Sequence, residues 1–247
     1  MGDILPTYTE QSWLQTPLGE YLLEQEQSLF DGTVSDLFGF NAVQVGLPEV
    51  DFLRNCRIPF RLRAAAQGNV MLRCDAVQFP FATSSADLML LPHVLEFSPN
   101  PHDTLREAER VLVPEGHLVI SGFNPISLWG ARRLFNKDES FPWQGRYVSL
   151  QRIKDWLALL GFEVVAGRMG CYAPPLRKQS WLQRCRFMDG AGDRWWPMLG
   201  GVYFLVAKKR VMGVRMIRPN WNGARVTRVL IPKPTQKSEY QKSEYGN

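Results

Sequence analysis

The segment Asp87-Leu88-Met89-Leu90-Leu91 is apolar at almost every position. A strand with one face in water alternates, whereas a strand covered on both faces does not, so this run reads as a central strand of a parallel sheet. Asn41-Ala42-Val43-Gln44-Val45-Gly46, His117-Leu118-Val119-Ile120-Ser121-Gly122 and Gly201 to Ala207 share the pattern. Val70-Met71-Leu72-Arg73-Cys74 and Phe162-Glu163-Val164-Val165 are shorter versions of it. Arg57 to Arg63 instead alternates apolar and basic residues; it predicts a strand with one solvated face, and Pro59 places it at a sheet edge or at the strand start.

The intervening segments carry helical periodicity. Thr16-Pro17 is a cap and first-turn proline ahead of Leu18, Tyr21, Leu22, Leu29 and Phe30. A helix is expected from Pro48 to Asn55, another over Asp103 to Leu112 with Leu105, Ala108, Val111 and Leu112 inward, and a short one over Pro125 to Phe135. Pro114-Glu115-Gly116 reads as a turn. Ser149 caps a further helix that Gly161 terminates. Strands alternating with helices imply an α/β fold whose mostly parallel sheet is wrapped on both faces. One interval is too short. Only Ala64 to Asn69 lie between the second and third strands, where a parallel crossover normally spans about a dozen residues. Either the second helix is lost and the link is a hairpin, or the strand reading is wrong.

The chain has 247 residues, 45% of them hydrophobic, enough for one domain and a tail. The expected organisation is a helical cap over 1–40, a domain over 41–209 and a basic, disordered tail over 210–247. Charge supports the division. Nine acidic residues and no Lys or Arg occur from Met1 to Leu53, while Lys208 to Ser238 holds nine basic residues and no acid. The tail ends in a small duplication, Lys237-Ser238-Glu239-Tyr240 and Lys242-Ser243-Glu244-Tyr245. Its basic run makes nucleic acid or an acidic partner candidates. An alternative is that it folds against the acidic N-terminal face. Cys56, Cys74, Cys171 and Cys185 form no C-x-x-C pair and no cluster with histidine, so no metal site is expected. Scattered thiols, no signal-like N-terminus and no apolar run near ~18–20 residues make the expected location the cytoplasm, without a membrane.

From Val70 to Phe135 the pieces assemble into a pattern: Cys74-Asp75-Ala76, Phe79-Pro80-Phe81, Ala86-Asp87-Leu88, His93-Val94-Leu95-Glu96, Leu105-Arg106-Glu107, Arg110-Val111-Leu112 with Pro114 and Gly116, and Leu118-Val119-Ile120. In this order and spacing the stretch resembles the class I S-adenosylmethionine-dependent methyltransferases, in particular the bacterial type 11 group. Phe123 to Gly130 and Trp156 to Phe162 are similar to an uncharacterised bacterial branch of it. The resemblance implies a Rossmann-like methyltransferase fold, S-adenosylmethionine as cofactor and methyl transfer as the reaction, with no indication of the acceptor. It also implies three cofactor contacts. A glycine loop after strand one corresponds to Gln44 to Val50, where only Gly46 remains, Pro48 has no N–H to offer and Glu49 faces the cofactor's carboxylate or solvent. A ribose carboxylate after strand two corresponds to Ala64-Ala65-Ala66, which holds no acid. An adenine-binding acid after strand three is matched by Asp75, followed by Ala76, and Pro92 and His93 after strand four would lie beneath the methionine part.

Against each candidate stands a plainer reading. Asp75 is also a natural loop cap. His93 is a general base, a cofactor contact or neither. Glu96 is expected to face the next helix, and Asn124-Pro125 to form a turn. Trp129, Trp143, Trp181, Trp195 and Trp196 would line an acceptor pocket or, for the most part, pack in the core. The leading expectation is a methyltransferase. The alternative, motivated by the missing glycines and ribose acid, is a binding module that kept the fold, lost the cofactor and uses its basic tail.

Overall fold

The structure is a computed structural model that describes residues 12–68, 70–135, 141–176 and 179–211. Those parts of the basic tail and its partner sites that lie beyond Val211 fall outside the described residues, as does Trp221.

Seven strands form one sheet: β1 (Asn41–Val45), β2 (Phe60–Ala65), β3 (Leu72–Arg73), β4 (Ala86–Pro92), β5 (Leu112–Phe123), β6 (Phe162–Gly170) and β7 (Val202–Lys209). Their order is β3-β2-β1-β4-β5-β7-β6. The first five run parallel, and β7 inserts antiparallel to both β5 and β6. The helices are α1 (Pro17–Val34), α2 (Pro101–Val111), α3 (Leu128–Phe135), α4 (Leu150–Leu159), α5 (Gln179–Cys185) and α6 (Phe187–Trp195).

Alternation along the central strands builds a core on each face of the sheet. Ala42, Leu88, Leu90, Val119, Phe204 and Val206 pack with α1 and with Phe52 and Leu53. Val43, Met89, Leu91, Leu118, Ile120 and Leu205 pack with α2 and α4. This is why β4 reads apolar throughout: each face has its own cover. Helix α1 begins where expected, with Thr16 Oγ1 accepting from Gly19 N at 3.2 Å. Helix α4 is capped by Ser149, and Gly161 follows it with φ +81°.

Four expectations are corrected. Residues Pro48 to Asn55 make turns, not a helix. The carbonyls of Gly46, Leu47 and Val50 accept from the Gln44 amide, and the Val50 N–H closes only a single turn onto the Leu47 carbonyl. The β2–β3 link is not a hairpin, because the strands are parallel. No helix lies between them among the described residues. A two-residue β3 explains this: from Ala65 to Leu72 the chain backtracks one residue, about 3.3 Å along the strand, within reach of six residues. Finally, Pro114-Glu115-Gly116 does not end a strand. Between the pairs Ala86–Leu112 and Leu88–His117, four residues of β5 oppose Asp87 alone, so the turn is an excursion inside β5. The strand expected over 57–63 is displaced to Phe60–Ala65, which places Ala64 and Ala65 within it.

Candidate functional site

In an open parallel sheet, ligands bind beyond the carboxyl ends of the strands where the order reverses. Here that point lies between β1 and β4. Both strands end in left-handed backbone there: Gly46 has φ +90°, Leu47 φ +42° and His93 φ +51°. Non-glycine residues adopt this region at a cost and concentrate at functional sites. Gly46 is required by approach as well as by φ. A Cβ on it would stand 2.6 Å from Val94 Cγ2 and 3.0 Å from the Pro92 carbonyl oxygen.

Gln44 shapes the first wall. Its buried Nε2 donates to the carbonyls of Gly46, Leu47 and Val50, at 2.7 Å for the last, while its Oε1 accepts from Phe52 N at 3.0 Å. One amide thus organises the loop that glycines leave open in the related pattern. Asp75 and Ala76 follow β3. Asp75 is exposed, and its Oδ1 accepts from Val77 N at 3.1 Å. Glu49 is exposed, and its Oε1 lies 3.6 Å from where a Cβ on Gly68 would stand, beside the loop leaving β2.

The second wall holds a buried charged cluster that sequence reasoning missed. Glu26 from α1 places Oε1 2.8 Å from His93 Nε2, and Glu96 Oε1 lies 3.2 Å from His93 Nδ1. The three side chains are 1%, 1% and 0% exposed for Glu26, His93 and Glu96. The expectation that Glu96 faces the next helix is therefore overturned. Val94 O accepts from Phe97 N and Ser98 N, a turn that swings Glu96 inward, where its Oε1 also accepts from Phe123 N at 2.5 Å. Burial opposes charge on His93, but Glu26 and Glu96 outweigh it and push the imidazole up to about 10. At neutral pH His93 is thus a cation and a donor, not a ready base. Phe123 stacks on His93 at 4.1 Å and on Tyr147 at 5.1 Å. Burial and the Glu96 charge together raise the Tyr147 and Tyr203 phenols above their ordinary range.

The signals for this cluster were faint. Glu26 is one acid among nine in its region, and nothing in its spacing marks it as buried. Asn124-Pro125 does form a turn: the Asn124 amide donates to the carbonyls of Ile126, Met198 and Gly200. Trp129 and Trp143 are core residues, while Trp181, Trp195 and Trp196 are exposed. Among the described residues no group of His, Cys, Asp or Glu could hold a metal ion, and no helix is long and apolar enough to cross a membrane.

A parallel sheet in this order, with an inserted antiparallel strand and a reversal of strand order between β1 and β4, has the architecture of a Rossmann-like methyltransferase. The comparisons agree. Residues 50–120 match the methyltransferase domain family. The uncharacterised protein YafS of Escherichia coli is 32% identical over 203 residues, 81% of each chain. A methyltransferase from Thermotoga maritima superposes with a TM-score of 0.61 at 16% identity, covering 82% of this chain and 96% of that one. Another, from Mesorhizobium loti, has a TM-score of 0.53 at 15% identity, covering 74% and 96%. The chain belongs to the class I S-adenosylmethionine-dependent methyltransferase family.

Proposed function

We propose that this protein binds S-adenosylmethionine across the carboxyl ends of β1 and β4 and transfers its methyl group to an acceptor. The observation that carries the reading is the switch point itself: Gly46 and His93, each with positive φ, follow β1 and β4 where the strand order reverses. Comparisons with known proteins give no support to the reading as a module without cofactor.

The residues present fit the cofactor, with one substitution of parts. Gly46 keeps the close backbone approach. Asp75 offers an exposed carboxylate to the adenine amino group, with Ala76 beside it. Pro92 and His93 floor the methionine end. No acid closes β2, but Glu49 reaches the loop after β2 from the other side, and we assign to it the ribose hydroxyls. The cofactor brings its own electrophilic methyl group; the protein's task is alignment and exclusion of water. A dedicated catalytic side chain is not required.

The cytoplasm is the proposed location, 41–209 the proposed catalytic domain and the segment beyond it a separate basic tail. Isothermal titration with S-adenosylmethionine and S-adenosylhomocysteine tests the reading. Saturable binding that Asp75→Asn and Glu49→Gln each weaken about tenfold, ~1.4 kcal/mol, is expected. Binding unchanged in both variants would remove these residues from the site.

A further inference from the structure

The cluster around His93 carries more than a structural ion pair. Two buried carboxyl groups, those of Glu26 and Glu96, share one imidazole, so one of them has no cationic partner of its own among the described residues. The oxygens are unpartnered too: Glu26 Oε2, Glu96 Oε2, the Tyr203 and Tyr147 hydroxyls and Ser121 Oγ are all buried and accept or donate no hydrogen bond. Even the Glu26–His93 contact is close without being aligned as a hydrogen bond. Native interiors leave few such groups, and each one calls for a missing partner.

Part of this set gathers around Glu96. The Tyr203 hydroxyl and Glu96 Oε1 both crowd the position where a Cβ on Gly122 would sit. The Glu96 charge acts on both Tyr147 and Tyr203. The cluster lies over β4 and β5, one strand beyond the β1–β4 crevice assigned to the cofactor. That is the place of a second substrate.

We propose that this cluster holds the amino group of the methyl acceptor, so that the acceptor is an amine. The assignment rests on the methyltransferase reading. An ammonium group is compact, carries three donors and one positive charge, and so answers both deficits. An alcohol has one donor and would leave the second carboxyl group without a cation. The amine enters as α1 yields at the Glu26–His93 contact. It gives one proton to a carboxylate of the cluster. The freed nitrogen lone pair then forms the N–C bond to the cofactor's methyl group as the methyl–sulfur bond breaks, and that bond's electron pair stays on sulfur.

The test is calorimetric titration of the full chain at neutral pH with phenethylamine and n-butylamine, against 2-phenylethanol and 1-butanol. Saturable binding of the amines, at least tenfold tighter than their alcohols, is expected. Glu96→Gln should abolish that preference while the circular dichroism spectrum stays native. Tyr203→Phe should weaken amine binding severalfold without lowering the melting temperature, because its hydroxyl has no partner to lose in the free protein. Equal binding of amine and alcohol, no binding of either, or an unchanged preference in Glu96→Gln overturns the inference. Titration with S-adenosylmethionine in parallel separates the two readings. Cofactor binding without amine preference sinks only this inference, whereas amine preference without cofactor binding sinks the methyltransferase reading and with it the role of the amine as methyl acceptor.

Discussion

His93 Nε2 lies 2.8 Å from Glu26 Oε1, and this contact fastens the first helix to the end of the fourth strand. Glu26 is buried on α1 beside Leu22 and Phe30, whereas His93 is held in a left-handed turn. The pair therefore couples the cover of one sheet face to the floor of the crevice. Removing its charge by Glu26→Gln is expected to destabilise the fold by about 1–3 kcal/mol, less than for an isolated buried pair because Glu96 still faces the imidazole. Urea unfolding checks this, and amide exchange in α1 should accelerate more than in α4.

The same cluster sets a pH dependence. Its imidazole is raised from the ordinary 6.5 to about 10, with Glu26 on α1 and Glu96 after β4 as the facing charges. Between those values the folded protein holds a proton that the unfolded chain has released, so stability falls as pH rises. The contribution is complete below about pH 6.5 and gone above about pH 10. Urea midpoints between pH 6 and 10 should decline, and the decline should be shallower in His93→Asn, a residue that tolerates the same backbone. Identical slopes in both proteins would contradict the assignment.

Gln44 cannot be exchanged for its acid. In Gln44→Glu, a carboxylate would face the carbonyl oxygens of Gly46, Leu47 and Val50, which now receive the amide. A cost of about 3 kcal/mol or more is expected, from several lost donors and a buried repulsion. Thermal unfolding of Gln44→Glu measures it; a native melting temperature would show that the loop has another support.

Gly46→Ala meets Val94 Cγ2 and the Pro92 carbonyl while holding a φ of +90°. We expect a loss of about 1–3 kcal/mol in stability and a weakened cofactor affinity, because the two walls of the crevice must part. Adding Val94→Ala should restore part of the stability, since it relieves the contact but not the backbone.

The sheet was readable because burial on both faces writes itself as apolar runs, as at Asp87 to Leu91. The helix after β1 was misread because Pro48 to Asn55 has helical composition. Its conformation is decided instead by a side chain outside the segment, Gln44. The β2–β3 link defied the usual crossover length because β3 is only two residues long. Within the site, Gly46, Asp75, Pro92 and His93 stood out through the family pattern. Glu96 lay in that pattern without its inward direction, and Glu26, Tyr147 and Tyr203 did not stand out: a buried acid on an amphipathic helix has the same letter as a solvated one, and only the folded chain brings it to His93.

The central claim is that the β1–β4 crevice binds S-adenosylmethionine. Isothermal titration of the full chain with the cofactor and with S-adenosylhomocysteine tests it directly. Saturable one-to-one binding in the micromolar range, weakened in Asp75→Asn, is the result predicted. No heat with either compound up to millimolar concentration, in protein whose circular dichroism and melting are cooperative, would contradict it.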